Sequence, residues 1–381
     1  MHNRARNDEK LILAGTLALV GFGLVMLYSA SSVLALNKFG DPAYFFKRQA
    51  VWALMGLAAM VALWKTDYTK LRKYSLPVLA VSFILLVAVL VPGVGAVING
   101  SRRWIRLAGL SFQPSEFVKP ALMVFLAASL AKRADKLQDF VGGLLPYLAF
   151  VGTFLLLIAL EPDFGTAASF GMVTLCMLYA SGARLKHMAM LALPLLPLLY
   201  YELFMVSFRR ARLQVYMDPW TDPLGTGFQS IQSFIAFGNG GLTGVGLGQG
   251  AQKLLFLPEP HSDFIYSVIG EEFGLAGTLA VLAVYVMILA CGTRVALKCE
   301  DVFGRNLAFG VTMLTGFQVF VNTGVTTGLL PNKGMPLPFM SAGGTALLVA
   351  MASVGMLLSI ARLQDAGAVR TGQGPAAAMV R

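Results

Sequence analysis

The sequence predicts an all-α integral membrane protein of about ten transmembrane helices, and three observations predict it. Hydrophobic residues make up 57% of the 381 residues and charged residues only 13%, with a mean hydropathy of +0.70. That composition leaves too little polar surface to coat a water-soluble core of this size. Apolar stretches able to cross a bilayer core of roughly 30 Å as helix recur along the chain. Basic residues fall in short clusters between those stretches, so the net charge of +11 is read as membrane orientation rather than as a nucleic-acid surface. Cys176, Cys291 and Cys299 have no paired spacing, which argues against a disulfide framework or a zinc site.

Ten segments meet the length requirement: 11–31, 49–64, 75–97, 115–131, 141–160, 164–181, 187–207, 273–292, 306–329 and 341–360. The second and sixth are short. The first follows Arg4, Arg6 and Lys10 and is read as a retained span rather than a cleaved signal, because it is long enough to cross and nine more follow it. Residues 1–10 then form a cytoplasmic tail and 11–363 the membrane domain. Residues 364–381, rich in Ala and Gly with scattered Arg, form a disordered cytoplasmic tail.

With both termini in the cytoplasm, the clusters at Lys65 to Lys73, Lys132 to Lys136, Arg184 to Lys186 and Arg294 to Arg305 face inward, as the positive-inside rule expects. Two clusters break the rule. Arg102, Arg103 and Arg106 lie in a short outward loop, and Arg209, Arg210 and Arg212 open another. Cations placed against the topological preference call for an anionic ligand at the outer surface, either a substrate or lipid head groups.

That second outward loop, residues 208–263, is the longest connection, and long loops of this kind commonly carry function. It contains Asp218-Pro219-Trp220-Thr221-Asp222-Pro223, a half-apolar run over 228–237, and Gly244, Gly246, Gly248 and Gly250 at alternating positions. No strand precedes these glycines, so a nucleotide-binding turn is rejected. They are read as close packing over helices or as a backbone approach to a ligand. No ATP-binding signature occurs anywhere, so the driving energy must come from the substrate, such as an activated lipid pyrophosphate, or from an ion gradient.

Several carboxylates stand where chemistry could use them. Asp263 follows Ser262, which reads as an N-cap, placing Asp263 in a first helical turn at the lipid boundary. There it either complements the helix dipole or acts as general base on a sugar hydroxyl. Glu259, between Pro258 and Pro260, reads as structural. Glu116 and Lys119 share a helix face inside an apolar run, either as a functional pair or as a buried ion pair joining helices. Glu161 and Asp163 flank Pro162 in a tight turn, where they either help bind a divalent cation or cap the next helix. Pro and Gly around Asn322, Pro331, Pro336, Pro338 and Gly343-Gly344 break helix at membrane depth, which implies a cavity.

Taken together, Asn99-Gly100-Ser101-Arg102-Arg103-Trp104, Phe112-Gln113-Pro114-Ser115-Glu116, Glu161-Pro162-Asp163-Phe164-Gly165-Thr166, Pro258-Glu259-Pro260-His261-Ser262-Asp263-Phe264 and Pro336-Leu337-Pro338-Phe339 resemble the SEDS family (FtsW/RodA/SpoVE). The resemblance runs from about residue 11 to 363. Residues 246–250 with Leu257-Pro258-Glu259-Pro260-His261 look more like FtsW, the division branch, than RodA, the elongation branch. Ala342 stands where the family usually has Tyr, and Asn332-Lys333 replaces a more usual small or apolar pair.

The resemblance implies a ten-helix fold and a peptidoglycan glycosyltransferase that joins lipid II units into β-1,4 glycan at the outer face of the cytoplasmic membrane. It implies a class B penicillin-binding protein as partner, along with other division proteins. Asp263 matches an essential aspartate, and Trp104, Glu116 and Lys119 match positions tied to activity. Arg102, Arg103, Arg210 and His261 complete the expected substrate-binding set. A divalent cation, Mg2+ or Mn2+, is expected to share in holding pyrophosphate, with ligands the sequence does not fix; no organic cofactor is implied. The rival readings are a lipid II transporter, an elongation-type polymerase, a non-catalytic division scaffold and a ligase of another lipid-linked glycan.

Overall fold

The computed structural model describes residues 2–98, 101–107, 110–161, 163–190, 205, 215–254 and 256–370. Among them are ten α-helices: α1 (His2–Phe39), α2 (Tyr44–Lys65), α3 (Leu71–Leu90), α4 (Pro114–Arg133), α5 (Leu145–Leu160), α6 (Phe164–Ala180), α7 (Phe228–Gly240), α8 (Ile265–Lys298), α9 (Val302–Thr326) and α10 (Gly344–Arg370). All but α7 coincide with predicted spans. Eight helical stretches are long and apolar enough to cross a membrane, and α6 is a shorter apolar helix. The predicted seventh span, 187–207, lies almost wholly outside the described residues.

The bundle exposes apolar side chains and turns its charges inward, into a largely apolar core. Leu54, Leu76, Ile84, Leu156 and Phe320 are each more than 60% exposed, while Glu116, Lys119, Lys253, Glu271 and Glu272 are buried. This is the distribution that lipid as solvent requires, since a lipid-facing charge is costly and must turn inward to partners. Helix α10 packs along α2, α1 fits against α8 and α10, and α9 touches α4, α6 and α8.

Between α3 and α4 the expected plain loop is instead a three-stranded antiparallel sheet of β1 (Gly95–Ile98), β2 (Ser101–Leu107) and β3 (Leu110–Phe112). The third span accordingly ends at Leu90, not at 97. Ala96 pairs with Trp104 and Val97 with Arg102, so the register skips Arg103. Arg103 is the extra residue of a bulge, and a bulge re-aims side chains that strict alternation would send to opposite faces.

Helix α8 is broken at Gly274, whose backbone (φ 65°, ψ −162°) is not helical. The break is closed by the glycine loop that precedes α8 in the chain. Val245 and Gly246 donate their N–H groups to the carbonyls of Glu271 and Glu272, and Leu275 and Ala276 donate to the carbonyls of Gly241 and Leu242, all at 2.9–3.1 Å. Non-helical backbone at such a depth is tolerated when protein satisfies it. Of the two readings open for the glycines, the structure supports close packing over a helix. A Cβ at Gly274 would lie 2.5 Å from the Gly244 nitrogen.

Candidate active site

At the sheet-bearing end of the bundle lies a cavity of about 420 Å³, bounded by β2, the start of α4, the α5–α6 turn, the segment before α8 and the segment before α10. Arg103, Trp104, Glu116, Lys119, Asp163, Glu259 and Asp263 all line it. Five expected site residues separated by up to 160 positions in the chain therefore converge: Arg103, Trp104, the Glu116–Lys119 pair and Asp263.

Asp263 sits just before α8 rather than in its first turn, because the helix begins at Ile265 with Phe264 at the cap position. Ser262 is not an N-cap; its hydroxyl donates to Asp263 Oδ1 at 3.2 Å. Two side chains fix the surrounding backbone. Asn322 Nδ2 donates to the Asp263 carbonyl at 2.8 Å and to the Met335 carbonyl at 2.7 Å. Ser341 Oγ donates to the Ser262 carbonyl at 2.6 Å. Recessed burial pushes the Asp263 carboxyl up to about 6, opposed by the Ser262 hydroxyl and reinforced by the negative charges of Glu259 and Asp163. That value suits a group that must be ionised, yet basic, near neutrality.

Glu116 and Lys119 form an ion pair of 2.5 Å within one turn of α4, both nearly inaccessible. The pair does not join two helices; it floors the cavity, with Pro120 beside it unable to offer an N–H to the Glu116 carbonyl. Below the pair, a gap of only about 30 Å³, walled by Val311, Leu314, Leu347 and Val349 among others, continues into the bundle. That is room for about one water.

Asp163 caps α6, accepting from Thr166 N at 3.2 Å and from its hydroxyl at 2.9 Å, and also stands 3.9 Å from Arg103 Nη1. Arg103 Nε donates to the Glu161 carbonyl at 2.8 Å. Glu161 itself is fully buried, and among the described residues neither carboxylate oxygen has a hydrogen-bond partner. Burial, with Asp163 adding repulsion against the pull of Arg103, raises Glu161 to about 8.

Three of the expected residues lie outside this cavity or outside the described residues. Arg102 is exposed on the far side of the bulge and does not line the cavity. His261 is buried with its ring 4.6 Å from that of Phe45, outside the cavity lining; its burial lowers its pKa. Arg210 lies outside the described residues. Conversely Glu259, read as structural, lines the cavity, with its backbone in the left-handed region at φ 50°.

A family model, FtsW/RodA/SpoVE, described as cell cycle protein, matches residues 9–366. The chain belongs to this family. A probable peptidoglycan glycosyltransferase FtsW of Geobacter sulfurreducens (strain DL-1 / KN400) is 48% identical over 359 residues, 94% of this chain and 96% of its own. Stage V sporulation protein E of Bacillus subtilis (strain 168) is 41% identical, covering 95% and 99%. Among solved structures, a chain from work on the structural coordination of polymerization and crosslinking by a peptidoglycan synthase complex superposes with a TM-score of 0.75 at 30% identity. That match covers 93% of this chain and 97% of the other. Rod shape determining protein RodA of Thermus thermophilus gives 0.66 at 27%, covering 92% and 95%. Family membership and the apolar helices make the chain a multi-pass membrane protein.

Proposed function

We propose that this FtsW/RodA/SpoVE family member is a peptidoglycan glycosyltransferase that polymerises lipid II, at the outer face of the cytoplasmic membrane, for septal wall synthesis. The observation that carries the reading is the convergence of a recessed Asp263 with Arg103 and Lys119 in one cavity at one end of the bundle. The names of the FtsW relatives support the substrate class and the division role.

In this reading the Asp263 carboxylate takes the proton of the acceptor sugar's 4-hydroxyl. The freed oxygen pair attacks C1 of the donor sugar, and the C1–oxygen bond to pyrophosphate breaks with its electrons leaving on undecaprenyl pyrophosphate. One displacement inverts an α-linked donor to a β-linked product. Arg103 and Lys119 offset the charge that grows on the leaving group. A divalent cation would add Lewis-acid help at the pyrophosphate. Asp163 could supply one of the one or two carboxylates with which Mg2+ is commonly held beside substrate phosphates, and among the described residues no cluster of three ligating side chains exists. A class B penicillin-binding protein is the proposed partner, by analogy with the synthase complex.

A transporter of the same lipid would need a hydrated passage through the bundle, whereas below Lys119 the described residues leave a gap of only about 30 Å³. The test is glycan formation from labelled lipid II by the protein with its penicillin-binding partner, with and without divalent cation, beside Asp263→Asn. Polymer from the wild type and none from an equally folded variant supports the reading. Equal polymer from both removes Asp263 from the chemistry.

A further inference from the structure

Gln318 of α9 lines both the catalytic cavity and the narrow gap beneath it, and so do Glu116 and Lys119. The amide and the ion pair therefore stand together on the cavity floor. From this geometry we infer that Gln318 is a substrate-binding residue, its side-chain NH2 donating to the pyrophosphate of the lipid-linked donor alongside Lys119. The inference rests on the polymerase reading and adds to it a neutral donor at the leaving group.

Three observations carry it. Gln318 is 9% exposed, yet among the described residues its carboxamide has no hydrogen-bond partner, and it opens on the cavity instead of being sealed in the packing. Buried polar groups are as a rule paired, so an unpaired amide facing a cavity is available to whatever fills it, water in the free protein and ligand in the complex. Gln318 also stands one helical turn from Asn322 on α9, about 6 Å along the axis. Asn322 is bonded to the carbonyls of Asp263 and Met335, so one helix carries both the clip beside the proposed base and this amide. A rigid mount spares a ligand contact part of its ordering cost. Finally, the space ends here, with about 30 Å³ beyond. The ligand group that reaches the floor stops against Gln318 and Lys119.

The reaction decides which group that is. One inverting displacement sets the attacking and the leaving oxygen on opposite sides of C1. The acceptor hydroxyl lies against Asp263, and Glu259 adds a second carboxylate to the cavity lining. A pyrophosphate is repelled by both and drawn towards the cations. Lys119 donates to Glu116, and an ammonium has two further N–H groups to give. With no partner fixing its carboxamide, Gln318 is free to turn both N–H groups of its NH2 to the same anion. Being neutral, it adds these donors without the desolvation cost of another buried charge.

The test uses the full chain with its penicillin-binding partner, titrated with undecaprenyl pyrophosphate in detergent micelles. The wild type should bind it saturably. Gln318→Met, close to glutamine in size but without donors, should bind it about tenfold more weakly at an unchanged unfolding temperature, the order expected for one hydrogen bond to a charged group. Turnover of limiting labelled lipid II should fall by a similar factor. The inference is overturned if the wild type shows no saturable binding, or if a folded Gln318→Met binds undecaprenyl pyrophosphate as the wild type does. Weakened binding of lipid II with unchanged binding of undecaprenyl pyrophosphate would also overturn it, assigning Gln318 to the sugars. If Gln318→Met does not fold, Gln318→Asn, which keeps the amide but withdraws it by one methylene, takes its place and is read by the same titration. Failure of the wild type to make any strand from lipid II would instead count against the polymerase reading, and the pyrophosphate titration is read without turnover.

Discussion

Asp263 rests its carboxylate directly against Gly334, so that a Cβ on residue 334 would fall on Oδ2. The two lie 71 positions apart, and beside them Asn322 ties the Asp263 and Met335 carbonyls to one amide. Gly334 is not among the glycines with positive φ, so space, not backbone freedom, is what this glycine supplies. Gly334→Ala should therefore leave folding intact while displacing the carboxylate. A misplacement approaching 1 Å at a reacting group costs about 100-fold in rate. Glycan synthesis from lipid II, compared with thermal unfolding of the same preparation, checks this; wild-type rates in the variant would show that Asp263 needs no such seat.

Asn322→Leu removes both clips at once and leaves two carbonyls without this donor, each costing about 1–3 kcal/mol if it finds no other partner. Unlike Gly334→Ala, this change should lower both unfolding temperature and activity. Asn322→Asp offers no amide donor either and should not rescue it. A variant with lowered stability but unimpaired turnover would place Asn322 in the scaffold alone.

The pH dependence follows from the environment of Asp263. A base must be ionised, and burial has raised this carboxyl to about 6, so turnover should climb with pH and level off above roughly that value. Because Glu259 raises the same carboxyl by its charge, Glu259→Gln should shift the acid limb to lower pH. A limb unmoved by Glu259→Gln, in a variant that still turns over, would mean another group controls it.

Glu161 gives a stability signature of the opposite kind to an ordinary carboxylate. Its folded value is raised from 4.5 to about 8 by burial first and Asp163 second. The folded protein thus holds this proton across a window in which the unfolded chain has lost it. The contribution is full below about 4.5 and disappears as pH rises through about 8. Glu161→Gln mimics the protonated form and should flatten the fall in stability between those limits. Unfolding temperatures measured from pH 5 to 9 test it, and parallel curves for wild type and variant would refute it.

What could be read from the sequence divides along local and non-local lines. Apolar length alone located nine of the helices, because lipid demands it of each span independently. The sheet at 95–112 was not read, since Arg102, Arg103 and Arg106 masked the strand signal of Trp104 and Ile105. Without the strand there was no way to see the bulge that turns Arg103 into the cavity and leaves Arg102 outside. Asp263 was found from its motif, but its neighbour Gly334 carried no local mark. Glu271 and Glu272 stand as charges in an apolar helix, yet their partners lie far off in the chain and only folding brings them near.

Those partners support the last prediction. Lys253 is buried, with its amine 2.6 Å from Glu272 Oε1 and 2.9 Å from Ser29 Oγ, and Ser29 also donates to Glu272. Glu271 accepts from the N–H groups of Ala251 and Gln252. Two adjacent carboxylates on α8 therefore hold the glycine loop down just where its backbone closes the break at Gly274. Removing one member of a buried ion pair leaves the other charge uncompensated, which costs about 3–5 kcal/mol. Lys253→Met should accordingly free the loop, and the amides of Val245, Gly246, Leu275 and Ala276 should lose hydrogen-exchange protection together. Pairing it with Glu272→Leu removes the stranded charge and should restore much of that protection. If Lys253→Met leaves those four amides as protected as in the wild type, the glycine loop is held by its backbone bonds and not by the ion pair.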